Sequence, residues 1–278
     1  MKKHIKFLII AVAALVCAAA LSACVSGSSF WKRGKNSQPQ TYTVTLPTGT
    51  GYTAAPAYGE TLSVTSGASF DFTVTLSTGY TQSAVIVWAN GDALTAYGKI
   101  YTISNVARDV TVTVEGVTLN TYTVTLPGNG TAYTAAPASG YGTTAKYGGD
   151  FKFTVALSAG YSQSDITVSA NGVVLTPADG VYTISGIAAN QTVTVGGVVL
   201  NSYTVTLPQG TGYAAAPAGG YGATANYGGS YKFTVTLADE YGQCAITVKA
   251  NGAVLTAAGG VYAISNITAD QTVTVEGL

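Results

Sequence analysis

Charge is scarce in this chain. Lys, Arg, Asp and Glu make up 9% of its 278 residues, against roughly 25% in an average globular protein. Thr, Ala, Gly, Val and Tyr fill the space. That palette suits strands and turns, not solvent-exposed helices, which draw on Glu, Lys and Arg. Histidine is nearly missing: the single copy is His4. Past the first few residues there is no imidazole, the commonest general base and metal ligand. Cysteine occurs at positions 17, 24 and 244 only, too few and too badly placed for a disulfide framework. Of the twelve Lys/Arg, three (Lys2, Lys3, Lys6) belong to an N-terminal segment read below as removable. The remainder carries nine cations against twelve anions, a net charge of −3. No basic cluster is left for nucleic acid. The expectation is a non-catalytic protein with no cofactor, no metal site and no nucleic-acid partner.

Residues 1–24 read MKKHIKFLIIAVAALVCAAALSAC. A basic start precedes an apolar run from Phe7 to Leu21, the layout of a secretory signal. At about 15 residues the run is short for a transmembrane helix, which needs about 20. It ends in Leu21-Ser22-Ala23-Cys24, which resembles the lipobox of bacterial lipoproteins: an aliphatic residue, two small residues, then cysteine. The resemblance implies that the Cys24 thiol accepts a diacylglyceryl group, that residues 1–23 are cut away, and that the new amino group is acylated. Two or three chains, at about 0.8 kcal/mol per buried methylene, hold a protein at a membrane where one chain is marginal. Ordinary cleavage after Ala23 is the alternative. The C-terminal TVTVEGL carries no second anchor signal by this reading. The expected location is the bacterial cell envelope, on an outer membrane or the outer face of a plasma membrane.

Residues 24–40, from Cys24 through VSGSSFWKRGKNSQPQ, read as a flexible tether. Trp31 with Lys32, Arg33 and Lys35 either rests on lipid headgroups or is plain solvated linker.

From residue 41 the chain repeats itself. TYTVTLP starts at Thr41 and Thr121, and SYTVTLP at Ser202. VWANGDAL at Val87 returns as VSANGVVL at Val168 and VKANGAVL at Val248. IYTISNV, VYTISGI and VYAISNI start at Ile100, Val181 and Val261. The period of 80–81 residues is too long for a solenoid unit and suits a small autonomous β domain. Three domains follow: 41–120, 121–201 and 202–278.

Each copy alternates apolar and polar residues in short runs broken by turn residues. Tyr231 to Leu237 is one such run, with Lys232 outward. Tyr213 to Pro217 reads as a weak edge segment. Asn90-Gly91, Asn171-Gly172 and Asn251-Gly252 sit between apolar runs, the strongest short hairpin signal, because a type I′ turn needs φ > 0 at both central residues. Asp109, Asn190 and Asp270 precede the last strand, where an Asx side chain can close a turn onto its own backbone. About seven strands in about 80 residues predict an all-β, immunoglobulin-like β-sandwich. A β-grasp-like unit is the alternative; it needs a helix, and no stretch has helical periodicity. The joins, such as VEGVTLNTYTVTL from Val114, lack a Gly/Ser linker, which predicts a semi-rigid rod of domains.

The pattern YTVTLP…FTVTL…ANG…YTI…TVTVEG over residues 41–278 is similar to repeats of bacterial cell-surface proteins. More distantly it resembles the divergent internalin-type B repeats. Such modules serve as stalks, spacers or adhesive units, and their motif residues are strand and turn residues. The resemblance thus implies a stalk or adhesive role, with an extracellular glycan or protein as a possible ligand, and carries no catalytic position.

A binding site should sit where one copy differs from its sisters. Trp88 stands where the others have Ser169 and Lys249, on the outward side of its strand. It is a candidate for stacking on a sugar or partner, or else a sheet-surface ring covered by neighbours. Tyr141 and Tyr221, in Gly-rich loops of copies two and three, are expected to be exposed and to make adhesive contacts. Cys244 replaces Ser83 and Ser164; without a histidine to activate it, a semi-buried free thiol is expected. Asp239-Glu240 replaces Thr78-Gly79 and Ala159-Gly160, as a solvated loop or as part of a Ca²⁺ site.

Overall fold

Strict alternation in the first run of each copy forces one face of the strand inward. In the computed structural model, which describes residues 38–59 and 61–278, that run is β1 (Thr41–Thr45), with Val44 buried and its flanking threonines exposed. The export segment, Cys24 and the Trp31 cluster lie outside the described residues. Repeat 1 continues with β2 (Thr48–Gly49), β3 (Tyr52–Pro56), β4 (Ser63–Thr65), β5 (Phe70–Leu76), a 3-10 turn at Thr78–Tyr80, β6 (Ile86–Ala89), β7 (Asp92–Leu94), β8 (Ile100–Ile103) and β9 (Val110–Glu115). No α-helix occurs among the described residues.

These strands form two sheets. One has the order β4-β1-β9-β6-β7, the other β2-β3-β5-β8. Within the first, β1 and β9 run parallel; the remaining pairs are antiparallel. Repeats 2 and 3 use the same plan. The chain from residue 41 is therefore a tandem of three β-sandwiches. Their strand order differs from the ABED and CFG sheets of an immunoglobulin constant domain, because the first and last strands meet at the centre of one sheet. A β-grasp unit also pairs its end strands in parallel; here a second sheet, not a helix, covers that sheet's inner face.

Each repeat has its own core. In repeat 1, Phe70 and Phe72 of β5 are buried in one cluster with Val44, Val87 and Val112 of the facing sheet. Phe72 stands opposite Tyr101 across β5 and β8, and the rings stack at 5.5 Å. Phe153–Tyr182 and Phe233–Tyr262 repeat the pair at 5.4 Å. The recurring tyrosines at these positions are scaffold. In repeat 3, Tyr231 replaces the phenylalanine at position 151 and donates its hydroxyl to the Gly222 carbonyl at 2.8 Å. Desolvation raises its pKa above the usual 10.0, so the phenol favours the folded state until alkaline pH ionises the unfolded chain first.

The segment Tyr213–Pro217 is a full strand, paired with Tyr231–Leu237 over five registered residues, and it lies at the sheet's margin as expected: its counterpart in repeat 2, Tyr133–Pro137, is the edge strand of its sheet. Its proline falls at the end of the strand, and the next bond to the neighbouring strand is made by the Ala218 N–H to the Lys232 carbonyl at 2.9 Å. In repeats 1 and 3 a two-residue strand covers its outer side. Repeat 2 lacks that strand. One extra residue between Pro127 and Tyr133 displaces the loop, and the Asn129 side chain accepts the Ala135 N–H instead, at 2.7 Å.

One expectation needs correction, that for Asp109, Asn190 and Asp270. Their side chains do not close their own turn. Each reaches across the parallel pair to accept a backbone N–H of the first strand: Thr43 at 2.7 Å, Thr123 at 2.9 Å and Thr204 at 2.8 Å. The hairpin asparagines complete this tie. Asn90 has φ 49° and Gly91 φ 92°. The Asn90 amide donates to Asp109 O at 3.0 Å while its Oδ1 accepts the Thr111 N–H at 2.9 Å. Asn171 and Asn251 do the same. Asparagine is needed because the site takes one donor and one acceptor.

The glycine ending each TVTVEG-type run is equally constrained. Gly116 has φ +77°, and a Cβ there would run into the Ala84 carbonyl oxygen; Gly197 meets Asp165 and Gly277 meets Ala245 in the same way. Gly116→Ala is expected to cost on the order of 1–3 kcal/mol, read as a lower urea midpoint. An unchanged midpoint would show that the turn relaxes freely.

Candidate functional site

The polar chemistry of the described residues concentrates at the two joins between repeats. Asn120 and Asn201 are the buried polar residues there, 1% and 2% exposed. A buried amide must find partners for every donor and acceptor, and Asn120 does. Its backbone N–H donates to Gly79 O at 2.7 Å, and its own carbonyl accepts the Tyr147 N–H at 2.9 Å. Oδ1 accepts the Gln82 N–H at 2.9 Å. Nδ2 lies within hydrogen-bond distance of Thr78 O, Thr81 Oγ1 and Tyr122 Oη, at 3.2, 3.1 and 3.2 Å. One side chain thus holds the 3-10 turn of repeat 1 against the first strand of repeat 2.

Around it the contacts are steric. A Cβ on Gly79 would lie 2.5 Å from the Tyr147 ring of the next repeat, so the glycine is what lets that ring lie on the turn. Ser83 clasps the connecting segment both ways, donating to Thr118 O at 3.0 Å and accepting the Thr118 N–H at 2.9 Å. The second join repeats the set. Asn201 bonds Gly160, Gln163, Ala159, Ser162, Tyr203 and the Tyr227 N–H; Ser164 clasps Val199 at 2.9 Å in both directions; and a Cβ on Gly160 would lie 2.7 Å from Tyr227.

This explains the odd residues of repeat 3. Glu240 stands at the glycine position of Gly79 and Gly160, and Cys244 at the serine position of Ser83 and Ser164. Asp239 and Glu240 lie in the 3-10 turn Asp239–Tyr241. Among the described residues no group of three or more His, Cys, Asp or Glu is gathered as for a metal. Cys244 is a half-buried free thiol. At the other end, Ser66 of repeat 1 occupies the position of Tyr147 and Tyr227. The junction residues were readable as a Gly–Asn–Tyr set present at both joins, but their spacing of some 40 and 27 residues hides that they meet.

The three aromatic candidates do not come together. Trp88 is on the outward side of β6, half-buried, and its indole N–H donates to Glu115 Oε2 on β9 at 3.2 Å. At the same strand position Ser169 bonds Thr194, directly opposite it, at 2.9 Å in repeat 2, and Lys249 pairs with Glu276, the counterpart of Glu115, at 2.7 Å in repeat 3. Trp88 is thus one solution to a recurring sheet-surface pair. Tyr141 and Tyr221 are not the exposed rings expected. Each loop folds back so that the ring packs edge-on to the core, Tyr141 on Phe151 at 5.7 Å and Tyr221 on Tyr231 at 5.5 Å. The reason is volume: repeat 1 has Val64 where these repeats have Ala145 and Ala225, and the tyrosines join the clusters that contain the smaller residue.

Among the described residues no helix is long and apolar enough to cross a membrane. No protein-family model and no curated protein sequence matches this chain.

Proposed function

We propose that the chain is a non-catalytic surface lipoprotein, held at the bacterial envelope by lipid on Cys24, whose three repeats act as a stalk or adhesive spacer. The observation that carries the spacer reading is the pair of matching junctions. A protein that only strings domains together needs a soluble linker; here each join holds a buried asparagine with all its polar groups bonded and a ring seated on a glycine. Such joins transmit position and force from one repeat to the next. The lipid reading rests on the Leu21-Ser22-Ala23-Cys24 sequence and on the energetics of two or more acyl chains.

The test is direct. Expressed in a bacterial host, the full chain is expected in the membrane fraction, its N-terminal peptide starting at Cys24 and heavier by a diacylglyceryl group with or without an N-acyl chain. Cys24→Ala is expected to release the protein into the soluble fraction. An unmodified Cys24 in the wild type overturns the anchor. A glycan- or peptide-binding role through Trp88 is the second reading; the Glu115 bond and half-burial of Trp88 favour the structural role over it.

A further inference from the structure

We infer that the end of repeat 1 carries a binding cleft for a small zwitterion of dipeptide size, with Asp92 receiving its ammonium group and Arg108 its carboxylate. The inference does not depend on the spacer or lipid readings. The cleft opens between the β6–β7 hairpin and the segment joining β8 to β9, and its volume is about 440 Å³, within the roughly 300–1,000 Å³ of small-molecule sites. Beneath it lie the half-buried Leu94 and the buried core residues Ile103, Val106 and Val110. Asp92 and Arg108 line the same cleft and are exposed. No ion pair joins them, the one salt bridge among the described residues being Lys249–Glu276. Two opposite charges on one cleft, unspent on each other, suit a ligand that carries both.

The sister repeats show how this cleft differs from the shared scaffold. At the position of Asp92 they have Val173 and Ala253; at Arg108, Ala189 and Ala269; at Val106, Ile187 and Ile267; at Val110, Gln191 and Gln271. These four lie together on the one lining. Two add opposite charges, and one removes a methylene beneath the cleft. The fourth replaces a glutamine whose amide, in repeats 2 and 3, donates back to the carbonyl of residue 189 or 269 at 3.1 and 2.9 Å. Residues kept for the fold would recur, as Asn90 does beside them at Asn171 and Asn251. The lining includes no aromatic ring, which points away from a sugar stacked on a ring and toward a ligand held by its two charges with a small side chain against the half-buried Leu94. Arginine suits the carboxylate because its planar fork matches the two oxygens.

The experiment is an NMR titration of the isotopically labelled full-length chain with L-alanyl-L-alanine, its N-acetyl form and its C-terminal amide. The dipeptide is expected to shift the amides of residues 90–94 and 104–110 with a Kd of about 1 mM or tighter. Each blocked form should bind at least about tenfold more weakly, one charge contact being lost. Arg108→Gln should abolish the penalty for amidation and Asp92→Asn the penalty for acetylation. The quadruple variant D92V/V106I/R108A/V110Q carries the residues with which repeat 2 already folds; it should keep its spectrum and lose the shifts. Absence of shifts at these amides in the wild type overturns the proposal. So do shifts that persist in the quadruple variant, or equal affinity for blocked and free dipeptide.

Discussion

Replacing Asn120 with alanine is expected to lower the unfolding free energy by about 2–4 kcal/mol and to loosen the coupling of repeat 1 to repeat 2. The side chain satisfies the Gln82 N–H and the Thr78 carbonyl at a site that is itself 1% exposed. Alanine leaves both without a partner, and each orphaned buried group costs about 1–3 kcal/mol, offset where water can enter. Asn120→Asp is a sharper probe: the acceptor for Gln82 survives, while the Nδ2 contacts to Thr78 O, Thr81 and Tyr122 are lost and a charge is buried. In a linear array, stability is nearly the intrinsic stability of each repeat plus its interfaces. Weakening one interface should therefore broaden or split the urea transition, and a matching change at Asn201 should act on the other join. A loss below about 1 kcal/mol with an unchanged single transition would show that the joins do not couple the repeats, and the spacer reading would fall with them.

Phe153→Ala is expected to cost about 3–5 kcal/mol, as truncation of a fully buried phenylalanine does. Phe153 is 0% exposed and stacks on Tyr182 at 5.4 Å, with the Phe151 ring 6.4 Å away. For a chain of this size, 1 kcal/mol moves Tm by roughly 2–4 °C, and a drop of about 10 °C in the first calorimetric transition should follow. Because repeat 2 has a partner on each side, its loss removes two interfaces, and the equivalent Phe233→Ala removes one. The middle substitution should therefore have the larger effect on cooperativity. Equal calorimetric profiles for the two variants would contradict the coupling that the junctions imply.

Much of this architecture was legible as pattern. Period-2 alternation can be satisfied only by strands with one face inward, and an Asn-Gly pair between such runs leaves few turns to choose from; both held at all three sites. The hydrogen-bond partners of the loop residues were not legible. Asp109 looked like a turn closer because local bonding is the default for an Asx residue, but the parallel pairing of β1 and β9 brings Thr43 from 66 residues away to its carboxylate. Tyr141 and Tyr221 looked exposed because glycine-rich loops usually lie at the surface; the space left by Ala145 and Ala225 draws them inward.

The candidate functional residues divide in the same way. Trp88, Cys244 and Asp239-Glu240 each stand out alone in a run of sequence. The fold explains them as a cross-strand pair and as junction positions. It also unites Asp92, Val106, Arg108 and Val110, four modest substitutions spread over two loops that become one cleft lining only when the β6–β7 hairpin closes beside β8. What the sequence alone determined is what repetition and periodicity encode: three copies, all strand, each with one buried face. What only the tertiary structure decided is which residues meet. Parallel closure of first and last strands and the seating of one repeat on the next bring together side chains that are far apart along the chain.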